Sequence, residues 1–406
     1  MTTASAASAG PLQGVRIIEL GQLIAGPFCG KTLADFGAEV IKIEPPGKGD
    51  PLRKWRMLKN GNSVWWEVQS RNKQSVTLDL TQPEGQDILR ALVKEADVLI
   101  ENFRPGKMEE WGLGYEALKT INPRLVMARI SGYGQDGPYC NRPGFGVIAE
   151  SMGGLRYLTA EPGRVPVRVG VSIGDTLAAL HGVIGILMAL YHRDKGEKRA
   201  AGEGQVIDIA LYESVFNCME SLLPEYSAFN AVREAAGSAL PGIVPSNAYP
   251  CRDGWILIGG NGDGIFKRLM KAVGRDDFAA SPEMASNDGR VKHVADIDGA
   301  ITVWTKAHDK ADALKILDAH DVPSGAIYSI ADIAADAQYK AREMILNITT
   351  RDGYQVDVPG IVPKLSATPG GIRNTAPRLG EDTQAVLQRA GLKPETIADL
   401  RAKGVI

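Results

Sequence analysis

The chain has 406 residues, with 46 Lys+Arg against 48 Asp+Glu for a net charge of −2, and hydrophobic and charged shares of 44% and 23%. That is the mixture of a globular chain with a sizeable core, and it is long enough that two domains, or one with a large insertion, are expected. Without a global field, nonspecific binding to nucleic acid or to an anionic membrane surface is disfavoured, while a local basic pocket for an anionic ligand is still allowed.

Glycine is the compositional outlier, at 46 residues, above the usual share of roughly 7%. Cys29, Cys140, Cys218 and Cys251 lie far apart, with no CxxC pair and no histidine at ligand spacing. They support neither a disulfide framework nor a metal site, and they point to a reducing compartment such as the cytoplasm. The opening MTTASAASAG lacks a basic n-region and a long apolar core, so residues 1–10 read as a short disordered tail. The longest apolar stretch, Thr176 to Tyr191, counts sixteen residues and is too short to span a bilayer.

Along the chain, RIIEL (16–20) and EVIKIE (39–44) read as buried strands joined by a helix that ends at Gly37. SVTLDL (75–80) is the next strand, Thr81 can cap a helix over 82–95, and DVLIEN (97–102) and RLVMARISGYG (124–134) follow as strands. Strands alternating with helices predict a parallel sheet covered on both faces. Residues 135–174 read as a long ordered loop with a short helix near 145–152. From Asp175 a helix carries one stripe of Leu177, Leu180, Ile184, Leu187, Met188 and Tyr191 and a second of Ala178, Gly182, Gly185 and Ala189, and apolar residues on two faces predict burial. GEKRAAGEGQ (196–205) is a polar turn before the strand QVIDIAL (205–211).

The composition shifts between about 225 and 325, where WILIGGNGDGIFKRLMKAVG (255–274) gives a strand, a glycine turn and a helix. The expected division is a large domain over 11–224, a small one over 225–325, and a return to the first over 326–406. AIYSI (326–330), a hairpin turning at Arg351-Asp352-Gly353, and two short helices would make up that return.

No GxxxxGK(S/T) is present, and no GxGxxG follows the first strand. Asp175 reads either as a helix cap or as a carboxylate nucleophile aimed at a carbonyl carbon. ENFRPG (101–106) sets Asn102 and Arg104 just after a strand end, where open α/β sheets bind ligands, though a helix-initiating turn explains it as well. SRNKQSV (70–76) concentrates Arg71 and Lys73 before a strand, which a solvated loop would also do. Gly259, Gly260 and Gly262 form a turn whose N–H groups could approach an anion or close over a site.

Taken together, GPLQGVRIIELGQLIAGPFCGKTLADFGAEVIKIEPPGKGDPLRKW, NKQSVTLDL, ENFRPG, ISGYGQDGPY, VGVSIGDTLAALHGVIGILMALYHR, GEGQVIDIALYES and PSNAYPCRDGWILIGG resemble the class III coenzyme A transferases, the CaiB/BaiF family, over the chain after residue 10. The resemblance implies a Rossmann-like large domain built from both chain ends plus a smaller α/β domain, in an interlocked homodimer. It also implies transfer of CoA from an acyl-CoA, with no metal and no tightly bound cofactor. Asp175 would be the nucleophile, forming an acyl-aspartyl anhydride and then an aspartyl-CoA thioester, with Gly259 and Gly260 stabilising oxyanions or shielding the anhydride.

By the same resemblance, Ile24 and Ala25 would contact the nucleotide end of CoA. Arg71, Asn72 and Lys73 would lie near its phosphates, and Asn102, Phe103 and Arg104 would bracket the pantetheine or phosphates. Pro45 and Glu110 stand where the formyl-CoA branch has basic residues. The pattern is closer to the dicarboxylate branch, with succinyl-CoA as donor and Arg53, Arg71, Arg142 or Arg168 meeting the distal carboxylate. Two rivals are a 2-methylacyl-CoA racemase, which would have a His-Asp pair where Phe145-Gly146 stands, and a noncatalytic CoA-binding protein in which Asp175 is only a cap.

Overall fold

The computed structural model describes residues 10–195 and 202–406, so most of the expected N-terminal tail and the first part of the 196–205 turn lie outside the described residues. The chain divides into two compact units, Met1–Leu155 with Val169–Glu220 and Lys340–Ile406, and Arg156–Arg168 with Ser221–Tyr339.

In the first unit the apolar runs become β1 (Arg16–Glu19), β2 (Glu39–Glu44), β3 (Lys73–Thr77), β4 (Val98–Glu101), β5 (Val126–Ser131) and β6 (Val206–Ala210). They form one sheet in the order β3-β2-β1-β4-β5-β6, parallel at every pairing. Each face is covered by its own core. On one, Ile18, Ile41, Val76 and Leu99 pack with Leu89 of α2 (Pro83–Val93) and with C-terminal residues Leu387, Leu400 and Val405. On the other, Ile17, Val98 and Ala128 pack with Leu33 of α1 (Ala25–Asp35) and Ala178 of a long helix. The last residues of the chain close the β3 edge, where Ser75 N–H donates to Asp382 at 2.8 Å and Asp79 N–H to the Val405 carbonyl.

Beneath α1 the sheet holds buried charge. Glu19, at 0% exposure, accepts from Lys73 Nζ at 2.7 Å and faces Lys42 Nζ at 3.3 Å, while Lys42 also pairs with Asp50 at 2.9 Å. A Cβ on Gly30 would sit 1.8 Å from Glu19 Oε2, so the carboxylate fits only because α1 is bare at that turn. Beside it Glu44 takes Arg53 in a two-pronged pair, at 2.8 Å on each arm, and the Ser75 hydroxyl at 2.6 Å.

Several local expectations change. Gln82, not Thr81, flanks α2, with Pro83 supplying its first residue, and the Thr81 hydroxyl donates to Asp79 instead. The helix read from Asp175 is α4 (Ile173–Asp194), 22 residues long and by length and composition able to cross a membrane. Its small-residue face is packed into the unit, with Ala178, Gly182 and Ala189 buried. Contrary to the expected burial of both faces, Ile184, Leu187, Met188 and Tyr191 are exposed, Met188 at 66%. The short α3 (Gly146–Met152) lies where the loop pattern placed it.

The second unit is a three-stranded antiparallel sheet of β7 (Ser246–Cys251), β8 (Gly254–Gly259) and β9 (Ser324–Ala326). It is covered by α5 (Asp263–Ala272), α6 (Val294–Lys306) and α7 (Lys310–Ala319) through Ile256, Phe266, Ile301 and Leu317. Its limits differ from those expected from composition. Ala326 pairs with β8 and the unit continues to Tyr339, so residues 326–330 do not begin the return. Residues 156–168 join it because Tyr157 hydroxyl donates to Glu234 and Gly237 N–H to the Ala160 carbonyl. The first unit resumes with the hairpin β10 (Ile345–Thr349) and β11 (Gln355–Pro359) and ends with α8 (Thr383–Arg389) and α9 (Pro394–Ala402).

The Glu19 site yields a stability prediction. Gly30→Ala should force the Glu19 carboxylate out of its pairing with Lys73 and cost roughly 3 kcal/mol, seen as a lower urea midpoint. A midpoint equal to that of the unsubstituted chain would show that the carboxylate is not confined by α1.

Candidate active site

Asp175 lies in the first turn of α4, where Ser172 flanks the helix and no side chain caps it. Asp175 is therefore not the residue that flanks the helix, and its carboxylate does not cap it. A Cβ on Gly146 would come 2.0 Å from Asp175 Oδ2 and 2.7 Å from its Cγ. One on Gly174 would come 2.9 Å from the Gly146 carbonyl. The starts of α3 and α4 thus meet through two glycines, and the half-buried carboxylate rests on bare backbone. The neighbouring Phe145 and Val171 are 67% and 57% exposed. A carboxylate at a helix start, seated on backbone near apolar side chains, is suited to attack a carbonyl carbon.

The strand order reverses between β1 and β4, and in open parallel sheets ligands bind beyond the carboxyl ends of the strands at such a point. Asn102 locks the two loops that leave these strands. Its Oδ1 accepts from Gln22 N–H at 2.8 Å and its Nδ2 donates to the Gln22 carbonyl at 2.9 Å. Asp50 accepts from Leu23 N–H at 3.1 Å, holding that residue at φ 65°. Ile24 and Ala25 open α1 and are buried, so they offer backbone and a shallow apolar surface. Phe103 stands edge-on to Trp111 at 5.4 Å, and Arg104 is exposed with no side-chain partner among the described residues. The helix that begins here also reaches α4, since a Cβ on Gly182 would lie 3.2 Å from Cys29 Sγ.

Glu101 supports this edge and carried no sequence signal beyond its place in ENFRPG. It accepts from Phe103 N–H at 2.7 Å and from Arg129 Nε at 2.8 Å, while Arg129 grips Glu109 at 2.7 Å. Burial pushes the Glu101 carboxyl up to about 6, and Arg129 offsets only part of that.

Three of the expected phosphate contacts are corrected. Arg71 is fully buried, with Nε and Nη2 on Asp35 at 3.0 and 2.7 Å and Nη1 on the Pro359 carbonyl. Asn72 joins Asp35 to the Gly371 carbonyl and accepts from Arg373 and Asn374 N–H. Lys73 is buried on Glu19 and the Pro27 carbonyl. These groups hold the C-terminal segment and α1 to the sheet, and none of their charge faces outward. Arg53, a candidate for a distal carboxylate, is likewise buried against Glu44 and stacks 3.7 Å over Trp66.

Gly259 and Gly260 belong to the second unit, whereas Asp175 belongs to the first. Both glycine N–H groups are already used, Gly259 on the Pro323 carbonyl and Gly260 on the Pro245 carbonyl, each at 2.9 Å. They are therefore not oxyanion donors in this conformation. Arg290, which the sequence reading passed over, is fully buried and donates to the Val244, Met284 and Asn261 carbonyls, with Nη2 also 2.9 Å from Asp263. One guanidinium therefore sets the course of the loop. Among the described residues no cluster of three His, Cys, Asp or Glu could hold a metal.

A pH prediction follows for the β4 edge. Because the folded carboxyl of Glu101 titrates near 6, above its usual 4.5, its contribution is most favourable below pH 4.5 and is lost as pH rises toward 6, by about 2 kcal/mol. Urea midpoints measured across that window should fall for the unsubstituted chain relative to Glu101→Gln. Parallel profiles would show that Glu101 does not titrate in this way.

The sequence model of "CoA-transferase family III" matches residues 12–383. A succinyl-CoA–D-citramalate CoA-transferase of Chloroflexus aurantiacus is 47% identical over 98% of each chain. A succinate–glutarate CoA-transferase of Agrobacterium fabrum is 34% identical over 93% of this chain and 95% of that one. The crystal structure of a CaiB/BaiF family protein from Brucella suis superimposes with a TM-score of 0.82 at 34% identity, covering 94% of this chain and all of that one. With the parallel sheet, its reversal point and the seated aspartate in view, the chain belongs to CoA-transferase family III, and it is a CoA-transferase.

Proposed function

We propose that this enzyme moves CoA from succinyl-CoA to a small dicarboxylic acid, with Asp175 as the covalent carrier. The observation that carries the reading is the seat of Asp175 on Gly146 at the start of α4. The dicarboxylates and succinyl-CoA named for its relatives support the substrate class. One Asp175 oxygen attacks the thioester carbonyl, the C–S bond breaks, and CoA leaves as thiolate from an acyl-aspartyl anhydride. The thiolate then attacks the aspartyl carbonyl, giving aspartyl-CoA thioester and free succinate. The acceptor carboxylate repeats both steps in reverse, forming its own CoA thioester and regenerating Asp175. Each step exchanges carboxylates of similar energy, so one covalent carrier suffices.

The nucleotide would lie along the β1–β4 edge, with Arg104 as its exposed cation and Asn102 keeping the edge open. The four free thiols, two of them buried, suit a reducing compartment such as the cytoplasm. We also assign the exposed apolar stripe of α4 to a homodimer, in line with the interlocked assembly that the family resemblance implies. A patch of this kind on a monomer marks an interface.

Incubation of the unsubstituted enzyme with succinyl-CoA and trapping by hydroxylamine or borohydride should label Asp175 in mass spectrometry. Asp175→Ala should lose about a thousandfold or more in turnover, and Gly146→Ala, which displaces the carboxylate, should approach it while Ser172→Ala does not. No adduct, or full activity in Asp175→Ala, would overturn the mechanism. Light scattering should give about twice the 43.5 kDa chain mass, with Met188→Asp shifting it toward one; a single-chain mass for the unsubstituted protein would remove the dimer.

A further inference from the structure

We propose that Arg142, propped on Tyr139, reads the second carboxylate of both the donor and the acceptor acid. The inference rests on the CoA-transfer reading above and goes beyond it by naming the specificity residue. Of the four arginines considered for this task, Arg53 and Arg71 are buried and bound to Glu44 and Asp35. Arg168 belongs to the second unit and is not a free cation. Arg142 is exposed, and its guanidinium has no carboxylate partner among the described residues.

Its position is nonetheless built. The guanidinium carbon lies 3.7 Å from the Tyr139 ring centroid, and Arg142 N–H donates to the Tyr139 carbonyl at 2.8 Å, closing the turn between them. Tyr139 stands edge-on to Tyr133 at 6.0 Å, and Tyr133 lies 6.3 Å from Tyr212. Tyr133 and Tyr212 leave the carboxyl ends of β5 and β6, so the aromatic shelf is fixed to the sheet edge. Stacking holds the planar cation by its face and leaves its in-plane N–H donors at the rim, the geometry that takes a carboxylate two-pronged.

The path from this shelf to the nucleophile is short and pinned. A Cβ on Gly144 would come 2.9 Å from Gly132 Cα, so the loop crosses the end of β5 there, and Gly146, two residues on, seats Asp175. From Arg142 to Gly146 the backbone spans at most about 14 Å even if straight. A diacid with one carboxyl on Asp175 and two or three carbons beyond it would direct its second carboxyl into this neighbourhood. Because donor and acceptor acid each form an anhydride with the same aspartate, one cation serves both.

The test compares succinyl-CoA with butyryl-CoA as donors, and succinate with butyrate as acceptors, in the full-length enzyme. Arg142→Gln should lower kcat/KM for the succinyl donor and the succinate acceptor by roughly 10- to 100-fold, with butyryl-CoA and butyrate changed less than about threefold. Arg142→Lys should fall between, and millimolar guanidinium should restore part of the succinate activity of Arg142→Ala. Equal losses for charged and uncharged substrates, or no loss for either, would overturn the role of Arg142 while the Asp175 adduct still forms. Failure of the unsubstituted enzyme to form that adduct from any acyl-CoA would instead sink the transfer reading beneath it.

Discussion

The first unit depends on a carboxylate that has no contact with water. Glu19 is buried between Lys42 and Lys73, under a turn of α1 that carries only a hydrogen at Gly30. Separating either lysine from it would leave a buried charge uncompensated, which is far more costly than the net value of the pair. Three parallel strands and the helix that opens at the ligand edge are thereby fixed to one another. Lys42 carries the effect onward, since it also holds the Gly21 carbonyl and Asp50, and Asp50 fixes Leu23 in its left-handed conformation. The edge beyond β1 and β4, proposed to take CoA, is in this sense an extension of the ionic core beneath it.

The same network explains where reading the sequence succeeds and where it stops. Runs such as RIIEL, EVIKIE and DVLIEN announce buried strands because a parallel sheet needs apolar residues on both faces, and the alternation with helices announces their direction. What the letters do not carry is the fate of a charge. Arg71, Asn72 and Lys73 stand together before a strand, which is the pattern of a phosphate site. Their partners Asp35 and Glu19 come from α1 and β1, remote in sequence, and neutralise them inside the fold. Arg290 was overlooked for the complementary reason, since its partners are backbone carbonyls of three separate segments.

Asp175 was legible as a candidate from its place at the head of a helix, and geometry was needed to remove its reading as a cap. The flank of the helix falls at Ser172, and the room for the carboxylate is made by Gly146, in a loop that in sequence alone looks merely glycine-rich. The α4 helix shows a similar limit. Apolar residues on two faces predict that both are covered, yet among the described residues only the small-residue face is.

Closure of the β3 edge by the chain's final residues has a kinetic side. Ser75 meets Asp382 across 307 positions, and Arg53 meets the Pro377 carbonyl across 324. Contacts of such separation form late, after the entropy of closing the intervening loop has been met. During synthesis the second unit, nearly all of it within Ser221–Tyr339, is complete while the larger unit still lacks its last 67 residues, Lys340–Ile406. The unit that carries Asp175 therefore completes its contacts only once that segment is made, with Arg71 waiting for the Pro359 carbonyl beside an open sheet edge.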